Sequence, residues 1–237
     1  MFEIATSLSN LDLPKAVLAI GSLGTAAYGV VDAGKGFGGG ISNRGFGDIK
    51  KVVASLIPAT ATGVAQGAAL NLDSALRTLR ANWLNGMPLG DQKSVAKALI
   101  KLNLTPGNAP TMAATTGVDK NVLTDIATKM VTATPLSPTE TDVYGRFDLL
   151  LSALLDQGYQ RADQRYRNSA KLLAVCVAIV LALLGGRIIV GDSFFLDGNE
   201  FLRALLAGLL ATPLAPVAKD LSSAIQAGAK VAQSWNK

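Results

Sequence analysis

The stretch GVVDAGKGFGGG, residues 29–40, decides between two folds. Gly29, Gly34 and Lys35 have the spacing of a phosphate-binding loop, but Gly36 stands where that loop needs a serine or threonine to place a hydroxyl on Mg²⁺. Such a loop also follows a buried β-strand and opens a helix. What precedes Gly29 is LPKAVLAIGSLGTAAYGVV, Leu13 to Val31, with no charge from Ala16 to Val31. As helix, that uncharged run is about 24 Å long. With Lys15 snorkelling at one interface and Asp32 at the other, it makes a short membrane span. A signal peptide would begin with a basic segment. Here Glu3 and Asp12 precede the run, so the helix is expected to be retained. GKGFGGG is then the flexible exit from the membrane, with Lys35 at the headgroups, and no nucleotide is expected there.

Composition agrees with membrane contact. Only 16% of the 237 residues are charged, against about 25% in soluble domains, and mean hydropathy is +0.34. Ala, Gly, Leu and Thr dominate, and small residues suit close helix packing in lipid. The net charge of +5 favours an anionic membrane surface over nucleic acid, because many basic residues flank the apolar runs. With no histidine and one cysteine, Cys176, histidine-ligated metals, histidine-based triads and intrachain disulfides are all excluded.

Beyond the first span, residues 41–136 are polar enough to be soluble. Amphipathic helices are expected at 47–57, 71–84, 91–103 and 119–132. Asp91 reads as an N-cap, with Val95, Leu99 and Leu102 as a stripe. TPGNAPTMAATTG, 105–117, reads as a loop. SPTE, 137–140, is a helix start: Ser137 caps, Pro138 takes the first helical position and Glu140 closes a capping box. From there no proline intervenes before Pro213, so one long helix is expected. Val143, Phe147, Leu150, Leu151, Leu154 and Leu155 form its first apolar stripe. Arg161, Arg165, Arg167 and Lys171 form a basic collar. Leu172 to Val190 is uncharged except for Arg187, and is the clearest span.

GDSFFLDGNEF, 191–201, is a polar loop with Phe194 and Phe195 at interface depth. A third apolar run, Phe201 to Ala218, should be kinked or interrupted by Pro213 and Pro216. Val217, Leu221, Ile225, Val231 and Trp235 put one apolar face on the tail, which is expected to lie on the membrane surface with Trp235 as anchor.

Sixteen Lys or Arg lie between the first and second runs. By the positive-inside rule the middle region and C-terminus are cytoplasmic and the N-terminus is outside. The chain divides into 1–36 (N-terminal segment and first span), 37–136 (cytoplasmic helical region), 137–190 (long helix continuing into the second span) and 191–237 (outer loop, third span and amphipathic helix). The expected fold is an all-α integral membrane protein, with three transmembrane helices and a cytoplasmic helical domain joined by that long helix.

Gly21, Thr25, Gly29 and Ala33 recur every four residues as a small-residue packing face, and Ala27 lies off that row. Lys15, Lys35, Arg161, Arg165, Arg167, Lys171, Arg187 and Trp235 are the expected membrane-interface residues. Arg187 is expected to snorkel outward, with Asp192 as a possible ion-pair partner or a pore lining as the rival role. Asp142 and Asp163 stand four residues before Arg146 and Arg167 as helix ion pairs. Asp148 and Asp156 have no such basic neighbour. The carboxylates read as a solvated face. No nucleophile stands beside a base, so neither catalysis nor a cofactor is expected.

FLRALLAGLLATPLAPVAKDLSSAIQAGAK, 201–230, lies behind the basic YQRADQRYRNSAK, 159–171, and an apolar span. Over 158–230 this pattern resembles an uncharacterised family of bacterial multi-pass membrane proteins. The resemblance implies a bacterial membrane location and transfers no activity and no site residues. The expected role is a non-enzymatic anchor or scaffold subunit in the bacterial inner membrane, with the lipid bilayer and other subunits or further copies of itself as partners. The rivals are a homo-oligomeric pore or transporter and a membrane protein of a virion.

Overall fold

The computed structural model describes residues 13–34, 37–58 and 71–235, with side chains as far as Ala227. Every regular element among them is helical. In chain order these are α1 (Leu13–Ala33), α2 (Ser42–Leu56), α3 (Leu72–Leu84), α4 (Leu89–Leu102), α5 (Ala109–Thr116), α6 (Lys120–Val131), α7 (Pro138–Val190) and α8 (Gly198–Trp235), with a short 3₁₀ turn at Asp192–Phe195 before α8. Helices α1, α7 and α8 are long and apolar enough to cross a membrane.

Gly29 lies inside α1, and no strand precedes it among the described residues. Lys35 falls outside them. Glycine is needed just beyond. Gly38, Gly39 and Gly40 take φ of 69°, 94° and 45° in succession, a left-handed run that a β-carbon disfavours.

Two compact units divide the chain, one of residues 39–167 and one of residues 1–38 with 168–237. The first is a helical domain with an ordinary core. Phe46, Ile49, Val53, Leu56, Leu79, Ile100, Met112 and Leu123 are buried together with Phe147, Leu151, Leu155 and Tyr159 from α7. The first half of α7 is therefore a core helix of this unit. Its stripe continues beyond the expected residues to Tyr159 and Ala162, which are fully covered.

The SPTE start behaves as its chemistry dictates. Ser137 N–H donates to Glu140 Oε2 at 2.7 Å, and Glu140 N–H donates to Ser137 Oγ at 3.3 Å. The Lys129 ammonium also binds Glu140, and with the Ser137 amide it holds the Glu140 carboxyl down at about 2.

Three expectations are corrected. Residues 105–117 contain a helix, α5, whose proline sits at its start and whose Gly117 ends it at φ 74°; these residues are boundary signals of a short helix, not a loop. Asp91 is in the first turn of α4, because Pro88 takes the cap position. The buried face of α4 is Gln92, Ala96, Leu99 and Ile100, while Leu102 is exposed.

Asp148 also departs from a solvated face, while Asp156 keeps an exposed carboxylate that nonetheless has a partner on another helix. Lys97 and Lys101 both reach Asp148, each at 2.5 Å, and Lys93 pairs with Asp156. Lysines four apart on α4 thus engage aspartates eight apart on α7. Asp148, Lys97 and Lys101 are each about 30% exposed or less, so this ladder is screened less than a surface pair. Burial alone would raise the Asp148 carboxyl, but hydrogen bonds from Lys101 and Lys97 outweigh it and hold the group below the ordinary carboxylate range. Burial alone would lower Lys101, but Asp148 and Tyr144 outweigh it and raise the ammonium above its ordinary value.

The signs give a testable pH profile. The contribution of Asp148 is complete above the unfolded carboxylate pKa of about 4 and is lost as pH falls through its depressed folded value. That of Lys101 is complete below the unfolded lysine pKa and is lost as pH rises through its raised folded value. Asp148→Asn should cost about 1–2 kcal/mol, since it leaves two half-buried ammonium groups without their anion. Hydrogen exchange of the full chain in detergent should show α4 and residues 140–165 less protected at neutral pH, with a shallower loss on acidification. Unchanged protection would mean the ladder contributes nothing to stability.

Candidate functional site

The second unit holds α1, the apolar part of α7, and α8. Its three helices meet through glycine and alanine. Ala27, Ala178 and Ala211, one from each helix, are fully covered at the centre, with Ile20, Leu23, Val177 and Leu181 around them. A β-carbon placed on Gly24 would stand 2.5 Å from the Ala211 carbonyl carbon and 3.0 Å from Thr212 N. One on Gly21 would stand 2.8 Å from the Leu214 carbonyl oxygen, and one on Gly208 would stand 2.6 Å from Ile179 Cα. These are backbone atoms that cannot swing aside. Helices α1 and α8, and likewise α8 and α7, approach to a distance that only glycine permits.

The sequence leaves open which partner the fourfold row faces, and this chain's own bundle engages that row at one position. Of Gly21, Thr25, Gly29 and Ala33, only Gly21 is buried; the buried set on α1 is Gly21, Gly24, Ala27 and Val31. A helix advances about 100° per residue, so a strict four-residue step walks about 40° round the helix each time. By Gly29 and Ala33 the row has turned away from α8. Nothing lies within 4 Å of a β-carbon on Gly29. Steps of three, three and four residues keep the true row facing its partner. Ala27, off the fourfold row, is at the centre of the bundle.

Prolines 213 and 216 do not interrupt α8, which runs as one helix from Gly198 to Trp235. Each removes one amide donor, and the remaining ladder carries the helix across. The tail is thus the end of α8 and not a separate surface helix. Val217 and Ile225 are about half exposed, whereas the side chains of Val231 and Trp235 lie outside the described residues.

The interface residues separate by partner. Arg165 Nε lies 3.0 Å from Asp48 Oδ2, and Arg167 Nε lies 2.8 Å from Asp163 Oδ2. Arg161 and Lys171 are exposed, as is Lys15. Arg187 donates to the Gly191 carbonyl at 3.1 Å, pairs with Asp192, and lies 5.9 Å from the centre of the Phe195 ring. Phe194 is not a lipid-facing ring. It is 1% exposed and packs on Gly186, while Phe195 is 60% exposed. With Phe201 these rings form an aromatic cluster at one end of the bundle, centroids 5.0–6.4 Å apart.

Beside that cluster is a groove of about 420 Å³, bounded by Leu23 of α1, Leu181 and Gly185 of α7, and Ala204 of α8, with Glu200 and Arg203 also on its wall. Arg203 Nη1 donates to Glu200 Oε1 at 2.6 Å. Sequence reasoning did not find this groove, because its walls come from three helices far apart in the chain. Among the described residues no three acidic or cysteine side chains gather as a metal site.

Comparison with protein-family models, with curated proteins and with solved structures finds no match to this chain. Function is therefore read from geometry alone.

Gly24→Ala and Gly208→Ala should each lower unfolding stability in detergent by about 1–3 kcal/mol, the range for overpacking a tight contact. Gly29→Ala should be neutral or slightly stabilising, since alanine is the better helix former by about 0.5–1 kcal/mol. Equal damage from Gly24→Ala and Gly29→Ala would refute the assignment of the contact face.

Proposed function

We infer that the protein is a non-enzymatic membrane anchor that holds a basic helical domain at the cytoplasmic face of a bacterial inner membrane, as a scaffold for other subunits or further copies of itself. The observation that carries this reading is α7. One unbroken helix supplies Phe147, Leu151, Leu155 and Tyr159 to the core of the soluble unit. It then continues as the most apolar of the three candidate spans, with a mean hydropathy of 2.7 over its best window. A domain attached through a flexible tether would need no such shared helix.

The basic collar supports the orientation. Arg161, Arg165, Arg167 and Lys171 fall where α7 passes from the soluble unit into its apolar part, and such residues collect on the cytoplasmic side. A pore has less support, because the buried centre of the bundle is alanine. The exposed row Thr25, Gly29 and Ala33 leaves a small-residue face of α1 open to another helix.

Topology tests the reading first. A reporter that works only in the cytoplasm should be active after Lys237 or within Asn108, and silent at Gly198. Activity at Gly198 with silence at Asn108 would invert the model. The scaffold role predicts that the chain leaves the membrane in gentle detergent as a species larger than one copy. A strictly monomeric species, or ion flux through reconstituted bilayers, would overturn it.

A further inference from the structure

We propose that the groove beside Glu200 and Arg203 is a binding site for a phospholipid whose headgroup carries a primary ammonium, and that it prefers this lipid to choline and glycerol lipids. The inference rests on the membrane reading above.

The groove has the size of a ligand pocket, about 420 Å³ against the usual 300–1,000 Å³. Its walls are alkyl side chains and the bare backbone of Gly185, where a β-carbon would meet nothing within 4 Å. In a bilayer such a surface takes an acyl chain. Its polar end is different in kind. Glu200 and Arg203 stand one helical turn apart on the wall, joined by a single bond from Arg203 Nη1 to Glu200 Oε1. That bond engages one of the five guanidinium donors and one of the two carboxylate oxygens. Arg203 is 74% exposed and Glu200 34%, so both remain open to a headgroup. The aromatic cluster of Phe194, Phe195 and Phe201 lies at the same end, with Phe194 itself on the groove wall.

The charge pattern selects the lipid. Arg203 offers a planar fork that matches a phosphate, and Glu200 offers an acceptor for a cation that can donate hydrogen bonds. An ethanolamine headgroup carries both the phosphate and the N–H donors. A choline headgroup has the positive charge but no N–H for Glu200. A glycerol headgroup offers hydroxyl donors but no cation, so the Glu200 carboxylate gains no charge-assisted bond from it.

The test uses the full chain in nanodiscs with equal parts phosphatidylethanolamine, phosphatidylcholine and phosphatidylglycerol of matched acyl chains, followed by gentle release and mass spectrometry of retained lipid. Ethanolamine lipid should be enriched about tenfold or more over choline lipid, the low end of what one charge-assisted hydrogen bond provides. Glu200→Gln should abolish that preference while leaving a bound lipid. Gly185→Leu should fill the groove and prevent retention of any lipid. Because the side chain enters open space, the thermal unfolding of this variant should match that of the parent. Equal retention of ethanolamine and choline lipids, preference for the glycerol lipid, or a preference that survives both substitutions would each overturn the proposal. A chain that alkali strips from membranes would instead overturn the membrane reading beneath it.

Discussion

Backbone touching backbone at Gly24 and Gly208 is the contact on which the membrane unit depends. Inside hydrocarbon two helices gain nothing by leaving water, so association has to come from fit. Gly24 brings α1 onto the Ala211–Thr212 backbone of α8, and Gly208 brings α8 onto Ala178 and Ile179 of α7. Ala27, Ala178 and Ala211 then line the seam, fully covered. The unit of residues 39–167 packs through larger side chains instead, with Phe147, Leu151, Met112 and Ile100 buried together. Helix α7 carries both solutions in one element. Its buried apolar side chains are aromatic or leucine from Phe147 to Tyr159, and alanine from there on at Ala162, Ala174 and Ala178.

Charge does different work in the two units. Between α4 and α7 the lysine–aspartate ladder is a register device. Ammonium groups at 93, 97 and 101 meet carboxylates at 148 and 156. Sliding α7 by one turn would leave half-buried charges opposite the wrong partners, and such mismatches are penalised more than correct pairs are rewarded. In the other unit, Arg187 and Asp192 and then Glu200 and Arg203 pair within single turns of chain. Those pairs neutralise charge locally, within single segments, and they do not set the register of one helix on another.

What was legible in the sequence was whatever is encoded within one element. The three apolar runs, the capping box at Ser137 and the apolar stripe from Phe147 to Leu155 are all local patterns. What was illegible came from between elements. Asp148 has no lysine three or four residues away, so its partners on α4 were invisible until the two helices were paired. The groove by Glu200 is built from three distant segments. The fourfold row meets α8 at Gly21 but not at Gly29, because a four-residue step spirals slowly round a helix. Proline was weighted wrongly in both directions. Pro110 marked the start of a helix that was read as a loop, and Pro213 failed to end one.

That last failure has a mechanical consequence. Pro213 and Pro216 lack the amide hydrogens that would bind the carbonyls of Leu209 and Thr212, so α8 has lost two rungs within one turn. A rod with two rungs missing bends there most readily. Both prolines lie within the stretch, Ala211 to Ala218, against which Gly21 and Gly24 press. Helix α1 is therefore a splint laid along the softest part of α8. Stiffness in that part of the third apolar helix is borrowed from the first, and any event that lifts α1 also releases a joint.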